Sequence, residues 1–246
     1  RFGKTTLLST VENFLDPRFG GHSEYFEKLQ VWTEEDCRTL YGTIPVISVS
    51  FGSCKGRDYA QAIRGMISSF YNLYESHRYL MEGEKLDAED KAVYQRMKKA
   101  LEMGDETKAE SAIPRLCRLL YRYYGIWPVI LLDEYDTPLL EAYTDGYWEE
   151  MIGTCRQLFH AAFKENAYYS RAIITGVTRV TKNSLFSDLN NIEVDTVTCD
   201  AYSDCFGFTE EEVIDALQCQ NVQEFSKVKA MYDGFIFGSQ KDIYNP

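Results

Sequence analysis

No run of about 18 apolar residues occurs in this sequence, so no segment is long and apolar enough to cross a bilayer as a helix. There is no C-x-x-C pair, and there are only three histidines, which leaves none of the usual ligand spacings of a structural zinc site. The seven cysteines (Cys37, Cys54, Cys117, Cys155, Cys199, Cys205 and Cys219) form an odd set, which argues against a disulfide framework. They read as reduced, mostly buried thiols of a cytoplasmic protein. Positive charge is in deficit. Lys and Arg number 26 against 38 Asp and Glu, and the resulting −12 disfavours non-specific nucleic-acid binding by the segment as a whole, though not a local basic patch. No internal repeat or low-complexity tract interrupts the chain. The 246 residues are 45% hydrophobic, enough for a large domain with a sizeable core.

Apolar β-branched runs alternate with helical periodicity. A helix is expected over Lys4–Leu15, a buried strand over Ile44–Phe51, and a helix whose apolar face is Tyr59, Ile63, Met66, Ile67, Phe70, Leu73 and Tyr74. Residues 82–111 are polar and read as a surface insertion with weak helical signal. A helix follows Pro114, with Arg115, Arg118 and Arg122 on one solvated face. A second buried strand, Pro128–Leu132, ends in acids, and Thr137 and Pro138 look like a cap and first helical position. Asp136, just before them, suits a structural capping role. A helix over Tyr147–Asn166 leads to the strand "RAIITGV", and a fourth strand is expected at "IEVDTVTC". Helices over Glu210–Leu217 and Glu224–Met231 precede a hairpin in "YDGFIFGSQKDIYNP", with Asp233 and Gly234 in a tight turn. Strands alternating with helices predict an α/β fold with a parallel sheet, whose strand ends gather on one edge. A ligand site belongs at that edge.

Three short stretches carry chemistry. "RFGKTTLLS" holds the second half of a phosphate loop, Gly3-Lys4-Thr5, at the start of a helix. Backbone N–H groups and Lys4 there would meet phosphate charge, and the Thr5 hydroxyl would ligate Mg²⁺. The first glycine of the pattern and the strand feeding it would precede residue 1, so the chain is expected to be cropped from a longer protein. In "VILLDEYD", four apolar residues are followed by Asp133, placed to hold Mg²⁺ partly through water, and by Glu134, placed to activate water as a general base. "IITGVTR" offers Thr175, Thr178 and Arg179 at a strand tip, and Arg179 suits a bidentate phosphate contact. Each stretch also has a plainer structural reading: a turn before an amphipathic helix, acids that cap a turn, and a surface arginine at a strand end.

Together with "FGFTEEEV" and "YDGFIFGSQKDIYNP", these stretches make the sequence resemble the AAA-ATPase-like family of bacterial P-loop proteins. In that family the module often precedes a PD-(D/E)XK nuclease-like domain. The resemblance implies a three-layer P-loop NTPase sandwich of the AAA/ASCE type with strand order 5-1-4-3-2, its first strand missing here. It implies ATP and Mg²⁺ as cofactors and ATP/ADP as partners. Gly3, Lys4, Thr5, Thr6, Asp133 and Thr178 would bind nucleotide, Thr5 and Asp133 would serve the metal, and Glu134 and Arg179 would act in catalysis. The core is expected over residues 1–200, with a C-terminal helical segment and hairpin over 201–246. The expected function is Mg²⁺-dependent ATP binding and hydrolysis that drives or switches an attached domain. A regulatory nucleotide switch with negligible turnover, or a small-molecule P-loop kinase, are the alternatives.

Overall fold

The structure, a computed structural model, describes residues 2–178, 185–186, 192–222, 224–232 and 234–245. The chain forms two compact units, Leu8–Asn190 and Arg1–Leu7 together with Asn191–Pro246. Helix α1 (Lys4–Leu15) is followed by short helices α2 (Gln30–Thr33) and α3 (Glu35–Arg38), strand β1 (Val46–Ser50) and helix α4 (Tyr59–Ser76). Helices α5 (Ala88–Glu102), α6 (Glu106–Ala109) and α7 (Ala112–Tyr124) lead to strand β2 (Val129–Asp133). After α8 (Thr137–Asp145) and α9 (Trp148–Phe159), which continues through a π-helical turn at His160–Lys164, comes strand β3 (Arg171–Ile174). Helices α10 (Glu210–Cys219) and α11 (Phe225–Tyr232) and strands β4 (Phe235–Phe237) and β5 (Gln240–Ile243) complete the described elements.

In the larger unit, β1, β2 and β3 form one parallel sheet in that order. The register pairs Val46 with Val129 and Ser50 with Asp133, and Leu132 with Ile174. Alternate side chains enter two cores, as the pleat requires. Ile47, Val49, Ile130 and Leu132 pack into the main cluster with α4, α7 and α9. Val46, Val129 and Leu131 meet Leu8, Val11 and Leu15 of α1 on the opposite face. Because both faces of β2 are covered, its run is continuously apolar, as expected of a central parallel strand. β3 is different. Ile173 is 41% exposed, and among the described residues no strand pairs with its outer side.

Two expectations are corrected here. Residues 82–111 are not a surface appendage: Leu86, Tyr94, Met97, Leu101 and Ala109 are buried in the main core. The polar majority of α5 misleads because one buried stripe is enough to seat a helix. Among the described residues, "IEVDTVTC" forms no strand, and Thr196–Cys199 turns back on itself through a Cys199 N–H to Thr196 carbonyl bond of 2.9 Å. β-branched residues favour strands only where a ladder partner and a packed face exist. The arginines on α7 are exposed as expected, and Arg122 pairs with Asp87 and Asp90 at 3.1 and 2.7 Å. All seven cysteines are free, but only Cys54, Cys117 and Cys155 are buried. Burial pushes those thiols up to about 11, 12 and 12.

Beyond the amino end of β1 lies a buried polar group. The Asp16 carboxylate accepts from the Val46 N–H at 2.8 Å and from the Arg18 guanidinium at 2.9 Å. His77, fully buried beside it, lies 3.3 Å from the Val46 carbonyl through Nε2. Burial, aided by the positive Arg18, pushes His77 down to about 4. The neutral ring is therefore the native form. Its contribution to stability is complete above pH ~6.5 and is lost as the pH falls from there through 4, by roughly 3 kcal/mol. Denaturant titrations from pH 7 to 4 should show a steeper fall for the wild type than for His77→Gln. Equal slopes would mean that His77 is not the group responsible.

In the smaller unit, β4 and β5 pair antiparallel, with Phe235 opposite Ile243. This is the hairpin expected from sequence, and Asp233 of its approach lies outside the described residues. Phe2 sits edge-on to Phe235 and Phe237, with centroids 5.0 and 4.9 Å apart. The Phe208 and Tyr244 backbones exchange hydrogen bonds beside them. Thr209 and Glu212 close a capping box that starts α10.

Candidate functional site at the carboxyl ends of the strands

β2 delivers two acids to the sheet edge. Asp133 is its last residue, and its carbonyl accepts from the Phe51 N–H at 3.0 Å, extending the ladder past β1. On the other side, the Thr175 N–H bonds to the Leu132 carbonyl at 2.8 Å and the Tyr135 N–H to the Thr175 carbonyl at 3.1 Å. The strand tips are thus held in register beyond the strands themselves.

The Asp133 side chain is buried, and its Oδ1 accepts from the Glu134 N–H at 2.9 Å and from the Thr175 hydroxyl. Those two donors fix the carboxylate's orientation. Glu134 has φ of +51°, a left-handed conformation costing about 1–2 kcal/mol for a residue with a Cβ. This turn swings its side chain away from that of Asp133. Glu134 Oε2 accepts from the Thr137 hydroxyl at 3.3 Å. It also fills the space beside Gly52, where a Cβ would stand 2.5 Å from Oε2. Gly52, Ser50 and Thr137 were not legible as site residues. The only signal was a glycine directly after an apolar strand. Gly52 itself is held by a 3.2 Å bond from its N–H to Ser50 Oγ.

Asp136 occupies the N-cap position of α8, but its side chain makes no capping bond. The first turn is closed instead by its backbone carbonyl, which accepts from Leu139 and Leu140 N–H groups at 3.1 and 2.9 Å. The carboxylate reaches across to the segment after β3, where Oδ2 accepts from the N–H groups of Val177 and Thr178 at 2.8 and 2.5 Å. The Tyr135 hydroxyl donates to the Thr178 carbonyl at 2.9 Å. Thr175 and Thr178 therefore join the acids of β2 at one edge, and the Thr178 side chain is exposed. Arg179 lies outside the described residues.

The Gly3–Thr6 stretch spans the end of the loop and the start of α1. Gly3 has φ of +79°, a left-handed turn that glycine makes without strain, and its carbonyl accepts from the Leu7 N–H at 2.8 Å. Lys4 begins the helix half-buried, with Thr5 and Thr6 exposed in its first turn. Among the described residues, no three His, Cys, Asp or Glu side chains group as a metal cage. Among them, too, no helix is long and apolar enough to cross a membrane.

An α/β unit with a parallel three-stranded sheet and paired acids at the tip of its central strand is compatible with a P-loop fold. The family model described as "Predicted AAA-ATPase" matches residues 1–186, and the chain belongs to this AAA-ATPase-like family. It is also similar to an "Uncharacterized protein in vnfD 5'region" of Azotobacter chroococcum mcd 1, with 30% identity over 250 residues. That match takes in 100% of this chain and 42% of the relative's length. No solved structure matches the chain.

Proposed function

We propose that the chain binds MgATP and hydrolyses it, using the turnover to drive or switch an attached domain. The observation that carries this reading is the acid pair at the tip of β2: Asp133 is oriented by Thr175 and by the Glu134 N–H, while Glu134 is turned aside by its positive φ. Two adjacent carboxylates pointed differently suit two different tasks. Family membership supports nucleotide as the ligand. The family strand order would seat β3, β2 and β1 as its 4-3-2 portion.

In this reading the first-turn N–H groups of α1 and the Lys4 ammonium meet the β- and γ-phosphates. The Thr5 hydroxyl and the Asp133 carboxylate are the groups that would hold Mg²⁺, and the ion would supply charge to neutralise phosphate oxygens. A magnesium ion shared with substrate phosphates needs only one or two protein carboxylates, so Asp133 fits that task without a cage. Glu134 takes a proton from the water attacking the γ-phosphorus as the bond to the β-phosphate oxygen breaks. Thr178 would contact the γ-phosphate, and Arg179, the next residue in the sequence, is proposed for the same task. The chain spans 42% of the length of its relative, which leaves room in such a protein for the domain to be moved.

A nucleotide switch with negligible turnover is the second reading. It is favoured by the 3.3 Å bond from the Thr137 hydroxyl to Glu134 Oε2, which takes up one of the carboxylate's acceptor positions.

Calorimetric titration of the full chain with ATP, with and without Mg²⁺, tests the proposal. Wild type should bind more tightly with Mg²⁺, and Asp133→Asn should lose most of that gain. A charged contact of roughly 1.5–3 kcal/mol corresponds to a loss of about tenfold or more. Affinity that ignores both Mg²⁺ and the Asp133 substitution would show that this carboxylate does not serve the metal.

A further inference from the structure

We infer that Asp136 is a positioning residue: its buried carboxylate clamps the Gly176–Thr178 segment to the end of β2 and so sets where Thr178 stands relative to Asp133 and Glu134. The inference rests on the ATP reading for its catalytic consequence, whereas the clamp itself does not.

The geometry is unlike that of a helix cap. Asp136 is 1% exposed, and one of its oxygens takes two consecutive backbone N–H groups from a segment 41 and 42 residues away. Its other oxygen, Oδ1, is buried and has no hydrogen-bond partner among the described residues. A carboxylate buried with one oxygen unsatisfied is expensive, and a cap facing solvent would avoid that cost. What Asp136 gains is a charge-assisted hold on the loop. The close approach also depends on Gly176, where a Cβ would stand 2.6 Å from Asp136 Oδ1 and 2.6 Å from Tyr135 Cε1. Tyr135 ties the same segment through its hydroxyl to the Thr178 carbonyl. Within "DEYD", the first two residues present acids at the sheet edge and the last two hold the neighbouring loop. A displacement of the β2 tip is therefore passed to Thr178 through short, directional bonds.

The test uses the full chain with Asp136→Ala, Asp136→Asn and Gly176→Ala. Asparagine keeps an acceptor for the two amides, alanine does not, and Gly176→Ala breaks the same contact without touching the acid. Hydrogen exchange should show Val177 and Thr178 amides protected in the wild type. Protection should fall about tenfold or more in Asp136→Ala and Gly176→Ala and be largely rescued in Asp136→Asn, as loss of a charged hydrogen bond implies. ATP turnover should fall roughly 10- to 100-fold in the two alanine variants, the effect of about 1 Å of misplacement, with ATP affinity within a few-fold of wild type. The double variant should be no worse than either single one, because both break one contact. Unprotected amides in the wild type, unchanged turnover in Asp136→Ala, or additive losses in the double variant would each overturn the inference. If the wild type neither binds nor hydrolyses MgATP, the positioning role falls with the ATP reading. An amide pattern that still follows the variants would then show that the chemistry failed and not the clamp.

Discussion

Glu134→Gln should leave MgATP affinity within a few-fold of wild type and lower hydrolysis by roughly 10²–10⁴, the range for loss of a general base. Glutamine keeps the shape and the acceptor oxygen that meets the Thr137 hydroxyl, so the left-handed turn at Glu134 and the contact with Gly52 survive. Only the capacity to take a proton is removed. Gly52→Ala should lower turnover by a different route, since a Cβ 2.5 Å from Glu134 Oε2 forces the carboxylate out of its seat. Single-turnover hydrolysis with parallel nucleotide titration separates binding from chemistry. Wild-type turnover that Glu134→Gln matches would remove Glu134 from the catalytic role. Binding without turnover in the wild type, under every partner condition tried, would favour the switch reading.

Lys4→Ala should weaken ATP binding about tenfold or more. A lysine contact to phosphate is charge-assisted and worth roughly 1.5–3 kcal/mol, and each 1.4 kcal/mol is tenfold in affinity. Lys4 opens α1 directly after a left-handed glycine, which places it in the first helical turn, at the end whose dipole favours anions. The substitution lies in the smaller compact unit, away from Asp133 and Glu134 in sequence, so its effect should fall on affinity first. Calorimetry on the full chain measures it directly. An unchanged dissociation constant would exclude the Gly3–Thr6 stretch as a phosphate site.

Much of this was written locally. The strands at Val46–Ser50, Val129–Asp133 and Arg171–Ile174 are β-branched, apolar and flanked by helical periodicity, so their existence and parallel pairing followed from pattern. Asp133 and Glu134 stood out as candidates because they follow four apolar residues at a predicted strand end, and the sheet places both at its edge. The Gly-Lys-Thr helix start was legible because glycine alone turns left-handed without strain. The family resemblance rested on the Gly-Lys-Thr, acid-pair and "IITGVTR" stretches, which lie within residues 1–186 matched by the family model, and on "FGFTEEEV" and "YDGFIFGSQKDIYNP", which lie beyond them.

Other features depended on contacts between residues far apart in the chain. The burial of α5 depends on one stripe of Tyr94, Met97 and Leu101 finding α4 and α7, which a mostly polar composition conceals. "IEVDTVTC" has strand chemistry but no ladder partner among the described residues, and pairing is a property of the sheet and not of the segment. Gly52 became a site residue only when the turn after β2 brought Glu134 against it. Asp136 read as a cap because sequence shows the helix next to it and not the loop 41 residues on. The sequence alone determined which residues could carry nucleotide chemistry, since that follows from side-chain type and spacing along one segment. The tertiary structure alone decided how Asp133, Glu134 and Asp136 are oriented, because a carboxylate's partners are set by which strand tips the sheet register brings together.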